Sequence, residues 1–316
     1  MPIDPALRTG RPDLRPASMP GSAGRRHAAL LPVLIGPSIV PRVMASPIIL
    51  VFDSGLGGLT VLREVARARP DARFVYAADD ALFPYAAVEE QALIARVTAL
   101  MERLIAAHRP DLVIVACNTA STLVLPALRE RFALPFVGTV PAIKPACALS
   151  LTKRISVLGT EATVAREYTH ALVRSFARDC EVTLVGSALL ATLAEKHLAG
   201  EAVEDAAIRA EIAPCFVDGD ARTDTIVLAC THYPLLIESF ERLAPWPVRW
   251  VDPAPAIARR VVELIGPAEP QSKPLPAQVF FTSGREPSAA VTGALARFGL
   301  NGIAPARAFD TSRLWP

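Results

Sequence analysis

Two cysteines, Cys117 and Cys230, lie in near-copies of one segment. Residues 111–121 read DLVIVACNTAS and residues 224–234 read DTIVLACTHYP, and in each an Asp opens an apolar run that ends in Ala-Cys. The two cysteines are 113 residues apart, as are the two opening aspartates. This pattern predicts two strands in two similar half-molecules, each with a thiol at its carboxyl end. A pair of facing thiols can remove a proton from one side of a carbon and return a proton to the other.

Each cysteine is followed by two polar residues, Asn118-Thr119 after the first and Thr231-His232 after the second. A single cysteine after an apolar strand is usually an inert core thiol, but two in matching contexts indicate a shared role. An asparagine can orient a carboxylate or an amine, and a histidine beside a thiol can polarise it or accept its proton. Metal ligation would need more ligands than these segments supply, so we predict no metal site.

The other cysteines, Cys147, Cys180 and Cys215, lie in helix- or loop-like contexts and are predicted to be packing or surface residues. Five cysteines, an odd number without a CxxC pair, fit neither a disulfide framework nor a zinc ribbon. We therefore expect reduced thiols in a cytoplasmic protein.

A glycine-rich turn, DSGLGG at residues 53–58, follows an apolar strand and opens a helix. Its glycines permit close approach of a backbone, and the start of the helix offers unpaired N–H groups to an anion. The spacing is not that of the dinucleotide-binding fingerprint, and the lysine of a Walker motif is missing. From these residues alone, a strand-to-helix turn capped by Asp53 is the favoured interpretation.

The composition is that of a globular chain with a large core. The 316 residues are 52% hydrophobic with a mean hydropathy of +0.34, and all aromatic residues lie beyond residue 47. No apolar run beyond that point is long enough for a membrane-spanning helix. The net charge of +2 is distributed without a basic stripe, which argues against nucleic acid as a partner.

Residues 1–46 differ from the rest of the chain, because they are rich in proline and arginine and contain no aromatic residue. Three interpretations stay open: a disordered extension, a start at Met44 directly before the first strand, and a secretory signal. The signal would use the apolar stretch 28–40, which Pro32 and Pro37 interrupt. The extension and the later start are therefore favoured.

Strand and helix patterns alternate from Pro47 onwards and predict an α/β fold of mainly parallel sheets flanked by helices. The later pattern includes single helices over residues 163–176 and 205–216. In parallel sheets, ligands bind at the carboxyl ends of strands. Asp53 and the two cysteines of the repeated segment fall at that edge.

Several motifs occur in the order found in glutamate racemases and resemble theirs. They are DSGLGGLTV at 53–61, PYA at 84–86, ACNTAS at 116–121, VGT at 137–139, ACTHYPLL at 229–236 and FTSGR at 281–285. The resemblance covers roughly residues 47–300, and the two cysteine motifs together are specific.

The resemblance implies two pseudosymmetric domains that close over an amino acid, with the active site in the cleft between them. One domain would comprise residues 47–141 and 251–316, and the other residues 142–250. The resemblance also implies a racemase that needs no cofactor and makes D-glutamate for peptidoglycan. Homodimers are common among such proteins, and no membrane partner is expected.

The resemblance also implies roles for the residues that match the family's motifs. Cys117 and Cys230 would be the two proton donors and acceptors, working on D- and L-glutamate respectively. Asp53 and His232 would set their protonation states. The substrate site would be lined by Asp53, Ser54, Tyr85, Ala86, Asn118, Thr119, Thr231 and His232.

The chain departs from the resemblance at two places. Ala86 stands where the family usually has glycine, which Ala tolerates unless the backbone there needs a positive φ. Gly186-Ser187 stands where a Cys-Pro usually precedes an acidic residue. Glu195 is the candidate for that acidic group near the second thiol, and a solvated helix residue beside Lys196 is the alternative.

Other functions stay open at this point. The nearest are aspartate or hydantoin racemase and an arylmalonate-type decarboxylase, because paired or single cysteines serve those sites too. A function of another class is regulation by binding DNA gyrase, as some glutamate racemases do, although no motif here supports it. The two retained thiols favour catalysis.

Overall fold

The computed structural model describes residues 46–268, 277–300 and 302–303. The interpretations of residues 1–45 therefore lie outside the described residues. Among the described helices, none is long and apolar enough to cross a lipid bilayer.

The described strands form two parallel sheets. The strands are β1 Ile48–Asp53, β2 Arg73–Ala78, β3 Leu112–Val115, β4 Phe136–Gly138, β5 Arg154–Thr160, β6 Glu181–Ser187, β7 Thr225–Ala229, β8 Arg249–Val251, β9 Gln278–Phe281 and β10 Gly302–Ile303. The first sheet has the order β10-β9-β2-β1-β3-β4 and the second has the order β6-β5-β7-β8. This confirms the predicted α/β class. The predicted domain boundaries stay a prediction.

Helices cover the sheets. They are α1 Leu59–Ala68, α2 Glu90–His108, α3 Asn118–Arg131, α4 Ile143–Leu149, α5 Glu161–Ala165, α6 Glu167–Phe176, α7 Leu190–Leu198, α8 Asp205–Ile212, α9 Ile237–Leu243, α10 Ala254–Ile265 and α11 Ala289–Arg297. α1 packs against α10 on one side of the first sheet, and α2 packs against α3 on the other.

The continuous apolar run of β1 reflects burial on both faces of the first sheet. Ile49 and Val51 belong to one hydrophobic cluster, and Leu50 and Phe52 belong to the other. A strand in a parallel sheet covered by helices on both sides needs apolar residues at every position. The sequence pattern and the burial therefore agree.

The helix predicted over residues 163–176 is wrong in one respect, because it is broken at Arg166. This residue has an extended backbone (φ −76°, ψ 141°) and separates α5 from α6. The Thr169 hydroxyl donates to the carbonyl of Thr163 at 2.6 Å across the break. The helix predicted over 205–216 also ends early, at Ile212, where a single 3₁₀ turn containing Pro214 follows.

The strand ends bring the predicted chemical groups to the carboxyl edges of the sheets. Asp53 is the last residue of β1, and Cys117 follows the neighbouring strand β3 as the residue that precedes α3. Cys230 directly follows β7, a central strand of the second sheet. The thiols are thus presented by equivalent positions in the two sheets.

Candidate active site

A small cavity lies between the two thiols. Its volume is about 20 Å³, which is room for about one water molecule. It is lined by Ser54, Phe83, Pro84, Tyr85, Ala86, Cys117, Asn118, Thr119, Thr160, Ala191, Cys230, Thr231 and His232. Nine of these residues are ones that the sequence predicts.

Cys230 has an imidazole partner. Its sulfur lies 3.8 Å from Nδ1 of His232, and Nε2 of His232 lies 2.8 Å from Oε1 of Glu195. Glu195 comes from α7 and is only partly exposed, so the structure places it beside His232 rather than in solvent. The three side chains form a chain of contacts from carboxylate to imidazole to thiol.

The contacts of Nε2 indicate where the imidazole carries its hydrogens. Besides Glu195, Nε2 lies 3.2 Å from the backbone nitrogen of Gly57, and it cannot donate to the first and accept from the second at once. The contact with the carboxylate is shorter and charge-assisted, so we assign Nε2 as a donor to Glu195. Glu195 also accepts from the backbone N–H of Leu56 at 2.6 Å.

The neighbours of His232 favour its charged form. Burial alone would lower the pKa of His232, but its hydrogen bonds and charge interactions with Cys230 and Glu195 outweigh burial and raise that pKa well above the usual value. Its Nδ1–H then faces the sulfur of Cys230. A cation in that position stabilises negative charge on the sulfur.

Glycine at position 57 makes this arrangement possible. A Cβ atom there would lie 2.4 Å from Nδ1 and 2.6 Å from Cγ of His232, closer than real contacts allow. The glycine-rich turn of the first sheet is therefore shaped to receive the imidazole from the second.

Cys117 has a different environment. Its sulfur lies 3.7 Å from the hydroxyl of Ser54. Burial raises the pKa of Cys117 to about 12, and the negative charge of Asp53 contributes in the same direction. Cys117 therefore keeps its proton and can serve as the thiol of the pair.

Asp53 is fully buried and holds the glycine-rich turn. One carboxylate oxygen accepts from the N–H of Ser54 at 2.8 Å, and the other accepts from the N–H of Gly58 at 2.6 Å. Burial raises the pKa of Asp53 despite these bonds and the nearby charge of His232. Asp53 is not among the residues that line the cavity, so its direct contact with substrate stays a prediction.

A buried network anchors the wall formed by residues 83–86. The hydroxyl of Tyr85 donates to Asp79 at 2.6 Å, and Arg96 of α2 donates to both carboxylate oxygens of Asp79. Ala86 lies in a short 3₁₀ turn and is not among the described residues with positive φ. The alanine in place of the family's glycine is therefore accommodated without backbone strain.

Asn118 is the clearest sign of a ligand. Its side chain is only 2% exposed, and neither its amide nitrogen nor its amide oxygen has a hydrogen-bond partner. Buried polar groups are normally paired because an unpaired one costs about 1–3 kcal/mol. Since Asn118 lines the cavity, its amide is available to a bound carboxylate or amine.

Sequence reasoning missed four lining residues: Phe83, Pro84, Thr160 and Ala191. Thr160 could have been found, because it ends β5 at the position of the second sheet equivalent to other strand-end residues. Its hydroxyl lies 3.2 Å from that of Thr119 and 2.9 Å from that of Thr163. Phe83 packs against the ring of His232, with ring centroids 5.3 Å apart, and no local motif indicates this.

Comparison with known proteins finds relatives that match most of the chain. A glutamate racemase from Brucella anthropi is 56% identical to this chain over 232 residues. A glutamate racemase from Brucella canis is 52% identical to it over 265 residues. These matches cover 73% and 82% of this chain and 84% and 95% of the relatives.

Solved structures show the same fold. The Escherichia coli glutamate racemase, crystallised with L-glutamate and the activator UDP-MurNAc-Ala, superimposes with a TM-score of 0.75 at 39% identity, covering 82% of this chain and 97% of that one. The Aquifex pyrophilus glutamate racemase superimposes with a TM-score of 0.60 at 27% identity, covering 82% and 96%. The two-sheet α/β architecture is thus that of glutamate racemases.

The family assignment follows from the matched residues. The family model for Asp/Glu/hydantoin racemases matches residues 53–261, which include both strand-end thiols, Glu195 and His232. The chain belongs to the Asp/Glu/hydantoin racemase family.

Proposed function

We propose that this protein interconverts L-glutamate and D-glutamate with two cysteine thiols and no cofactor. The observation that carries the proposal is that thiols from equivalent strand ends line one cavity with unequal partners. Cys230 faces a charged imidazole, whereas Cys117 faces a hydroxyl and a buried carboxylate. One base and one acid on opposite sides of a carbon are what racemisation needs.

The reaction can be written with these groups. The thiolate of Cys230 removes the α-proton from L-glutamate, and the thiol of Cys117 delivers a proton to the opposite face, which gives D-glutamate. His232, held by Glu195, stabilises the negative charge on Cys230 before the transfer. The reverse reaction exchanges the two roles.

The intermediate adds negative charge next to a carboxylate and needs hydrogen-bond donors. Asn118 has an unpaired amide in the cavity, and Ser54, Thr119 and Thr231 provide hydroxyl groups in its wall. Donors fixed in place before the reaction stabilise developing charge most effectively. We assign carboxylate binding to these side chains.

The substrate, setting and assembly belong to the same proposal. Glutamate is supported by the relatives and by the L-glutamate in the Escherichia coli structure. We further propose a cytoplasmic homodimer of two-domain subunits that supplies D-glutamate for peptidoglycan. Sedimentation velocity would measure the assembly, and a purely monomeric protein would contradict the dimer.

The test is α-proton exchange in D₂O. The purified full-length protein, without added cofactor, is offered each enantiomer of glutamate and aspartate, and deuterium uptake and optical rotation are followed. We expect uptake and racemisation with glutamate. Activity on aspartate alone would keep the two-thiol mechanism and change the substrate, and no exchange with any of them would contradict the proposal.

Cysteine variants assign the reaction to the site. Cys117→Ser and Cys230→Ser should each abolish racemisation. Cys215→Ser is the matched control, because Cys215 is also buried, with a pKa raised to about 12 by burial, but does not line the cavity. Full activity of either cavity variant would contradict the assignment.

A further inference from the structure

Ser187 occupies a junction behind the second thiol. It is the last residue of β6 and is buried, and its hydroxyl donates to Oε2 of Glu211 on α8 at 2.5 Å. The hydroxyl oxygen of Ser187 also accepts a hydrogen bond from the backbone N–H of Leu190 at 3.0 Å. Leu190 begins α7, so Ser187 satisfies a free N–H group at the start of that helix.

The helix that Ser187 holds carries Glu195. α7 packs against the turn Tyr233–Leu236, which directly follows His232. The buried hydroxyl of Tyr233 lies beside Ser187 without completing a well-formed hydrogen bond. Ser187 is therefore in contact with both elements that bring the carboxylate and the imidazole together.

The position of α7 has a narrow tolerance. Oε1 of Glu195 is shared between the N–H of Leu56 at 2.6 Å and Nε2 of His232 at 2.8 Å. These partners come from different sheets, so a movement of α7 by about 1 Å breaks at least one contact, and such displacements near reacting groups can cost about a hundredfold in rate.

We propose that Ser187, oriented by the carboxylate of Glu211, is a positioning residue that sets the Glu195–His232 pair and through it the charge on Cys230. The inference rests on the proposed function and deepens it. The Ser187 hydroxyl donates its hydrogen bond to the Glu211 carboxylate. Its oxygen is therefore oriented to accept the hydrogen bond from the backbone N–H at the start of α7.

The test uses Ser187→Ala in the full-length protein. We expect kcat/KM for glutamate to fall by about tenfold to a hundredfold, because α7 loses its anchor. Ser187→Thr keeps the hydroxyl and should restore most of the activity. Glu211→Gln keeps the shape but weakens the acceptor, so it should give a smaller loss, and it provides a second route if Ser187→Ala folds poorly.

A matched control comes from the opposite edge of the second sheet. Ser150 is equally buried and its hydroxyl donates to Oδ1 of Asp224 at 2.6 Å. Ser150→Ala removes the same type of bond far along the strands from the thiols. It should lower the midpoint of thermal unfolding and leave kcat/KM unchanged.

Isotope effects separate positioning from a loss of folded protein. In Ser187→Ala, proton transfer by Cys230 becomes slower, so the primary isotope effect with [2-²H]-L-glutamate should rise and that with [2-²H]-D-glutamate should fall. A variant with merely less folded protein keeps both isotope effects at the wild-type values. If both isotope effects in Ser187→Ala stayed at their wild-type values, the proposal would be overturned.

An NMR titration of His232 gives a readout that does not depend on turnover. The charged and titratable groups around this ring are Glu195, Cys230 and Asp53, and all remain in Ser187→Ala. We expect the midpoint for His232 to move to lower pH in the variant. An unchanged midpoint would overturn the inference, whereas a wild-type protein without racemase activity would contradict only the proposed function.

Discussion

At the scale of single residues, the two thiols are equivalent in position but not in environment. His232 gives Cys230 a cation, and Glu195 fixes that cation from behind. Cys117 is buried near Asp53, which opposes its ionisation. Because the two sulfurs need opposite protonation states at the start of each turnover, this inequality is itself part of the chemistry.

His232→Asn should lose stability in a pH-dependent way. Since the pKa of His232 is raised in the folded protein, its contribution is fully present below the unfolded value of about 6.5 and is lost as pH rises through the folded value. Urea unfolding of wild type and variant should therefore differ more at pH 6 than at pH 9. His197→Asn, at an exposed position on the same helix as Glu195, is the matched control.

Gly57→Ala tests the close approach of the imidazole. The new Cβ would lie 2.4 Å from Nδ1 of His232, so the ring must move away from Cys230 and activity should fall at least tenfold. Gly293→Ala is the control, because a Cβ there meets nothing within 4 Å and helix α11 should gain about 0.5–1 kcal/mol. Racemase assays and thermal unfolding check both, and an active Gly57→Ala would contradict the steric argument.

At the scale of elements, the wall of residues 83–86 depends on a buried ion pair. Arg96 and Asp79 are 5% and 0% exposed, and their carboxylate–guanidinium contact supports the hydroxyl of Tyr85. Thr282, which follows β9, also donates to Asp79 at 2.6 Å. A helix, two strands and the cavity wall therefore meet at one carboxylate.

Arg96→Met should be strongly destabilising. Removing the cation leaves Asp79 buried without its charge partner, which costs about 3–5 kcal/mol in the free energy of unfolding. KM for glutamate should rise as well, because the wall loses its anchor. Arg131→Met removes an exposed pair with Glu102 and should change little, and equal losses in urea unfolding for the two variants would contradict this view.

The sequence predicted most strands and helices and most residues that line the cavity, and there is a physical reason for this. Parallel strands buried on both faces give continuous apolar runs, and strand ends such as Cys117 and Cys230 must share an edge. It could not find Phe83 or the anchor of Ser187, because these contacts join segments far apart in the chain. The break at Arg166 was missed because the apolar spacing continues across it.

At the scale of the whole molecule, the cavity is smaller than its proposed substrate. Sites for small molecules usually exceed about 300 Å³, whereas the volume between the thiols is about 20 Å³. We therefore expect the two sheets to separate when glutamate enters. Contacts across the cleft must break, among them the bond from the Thr60 hydroxyl to the carbonyl of Thr231 at 3.1 Å.

Arg166 makes contacts across the cleft, and removing its side chain tests whether separation of the sheets controls the entry of glutamate. From the break between α5 and α6, it donates to the carbonyl of Thr119 at 3.2 Å and to the hydroxyl of Thr122 at 3.0 Å. In Arg166→Met the closed arrangement loses these bonds both before and after substrate binds. Association and dissociation of glutamate should thus both become faster, while their ratio changes little.

Exchange NMR with ¹³C-glutamate measures both rates when turnover is silenced by Cys117→Ser and Cys230→Ser. Arg174→Met is the matched control, because Arg174 lies on α6 and pairs with Glu167 at the surface. It should leave both rates unchanged. If Arg166→Met weakened binding through dissociation alone, Arg166 would stabilise the substrate complex rather than the closed arrangement as such, and separation of the sheets would not control entry.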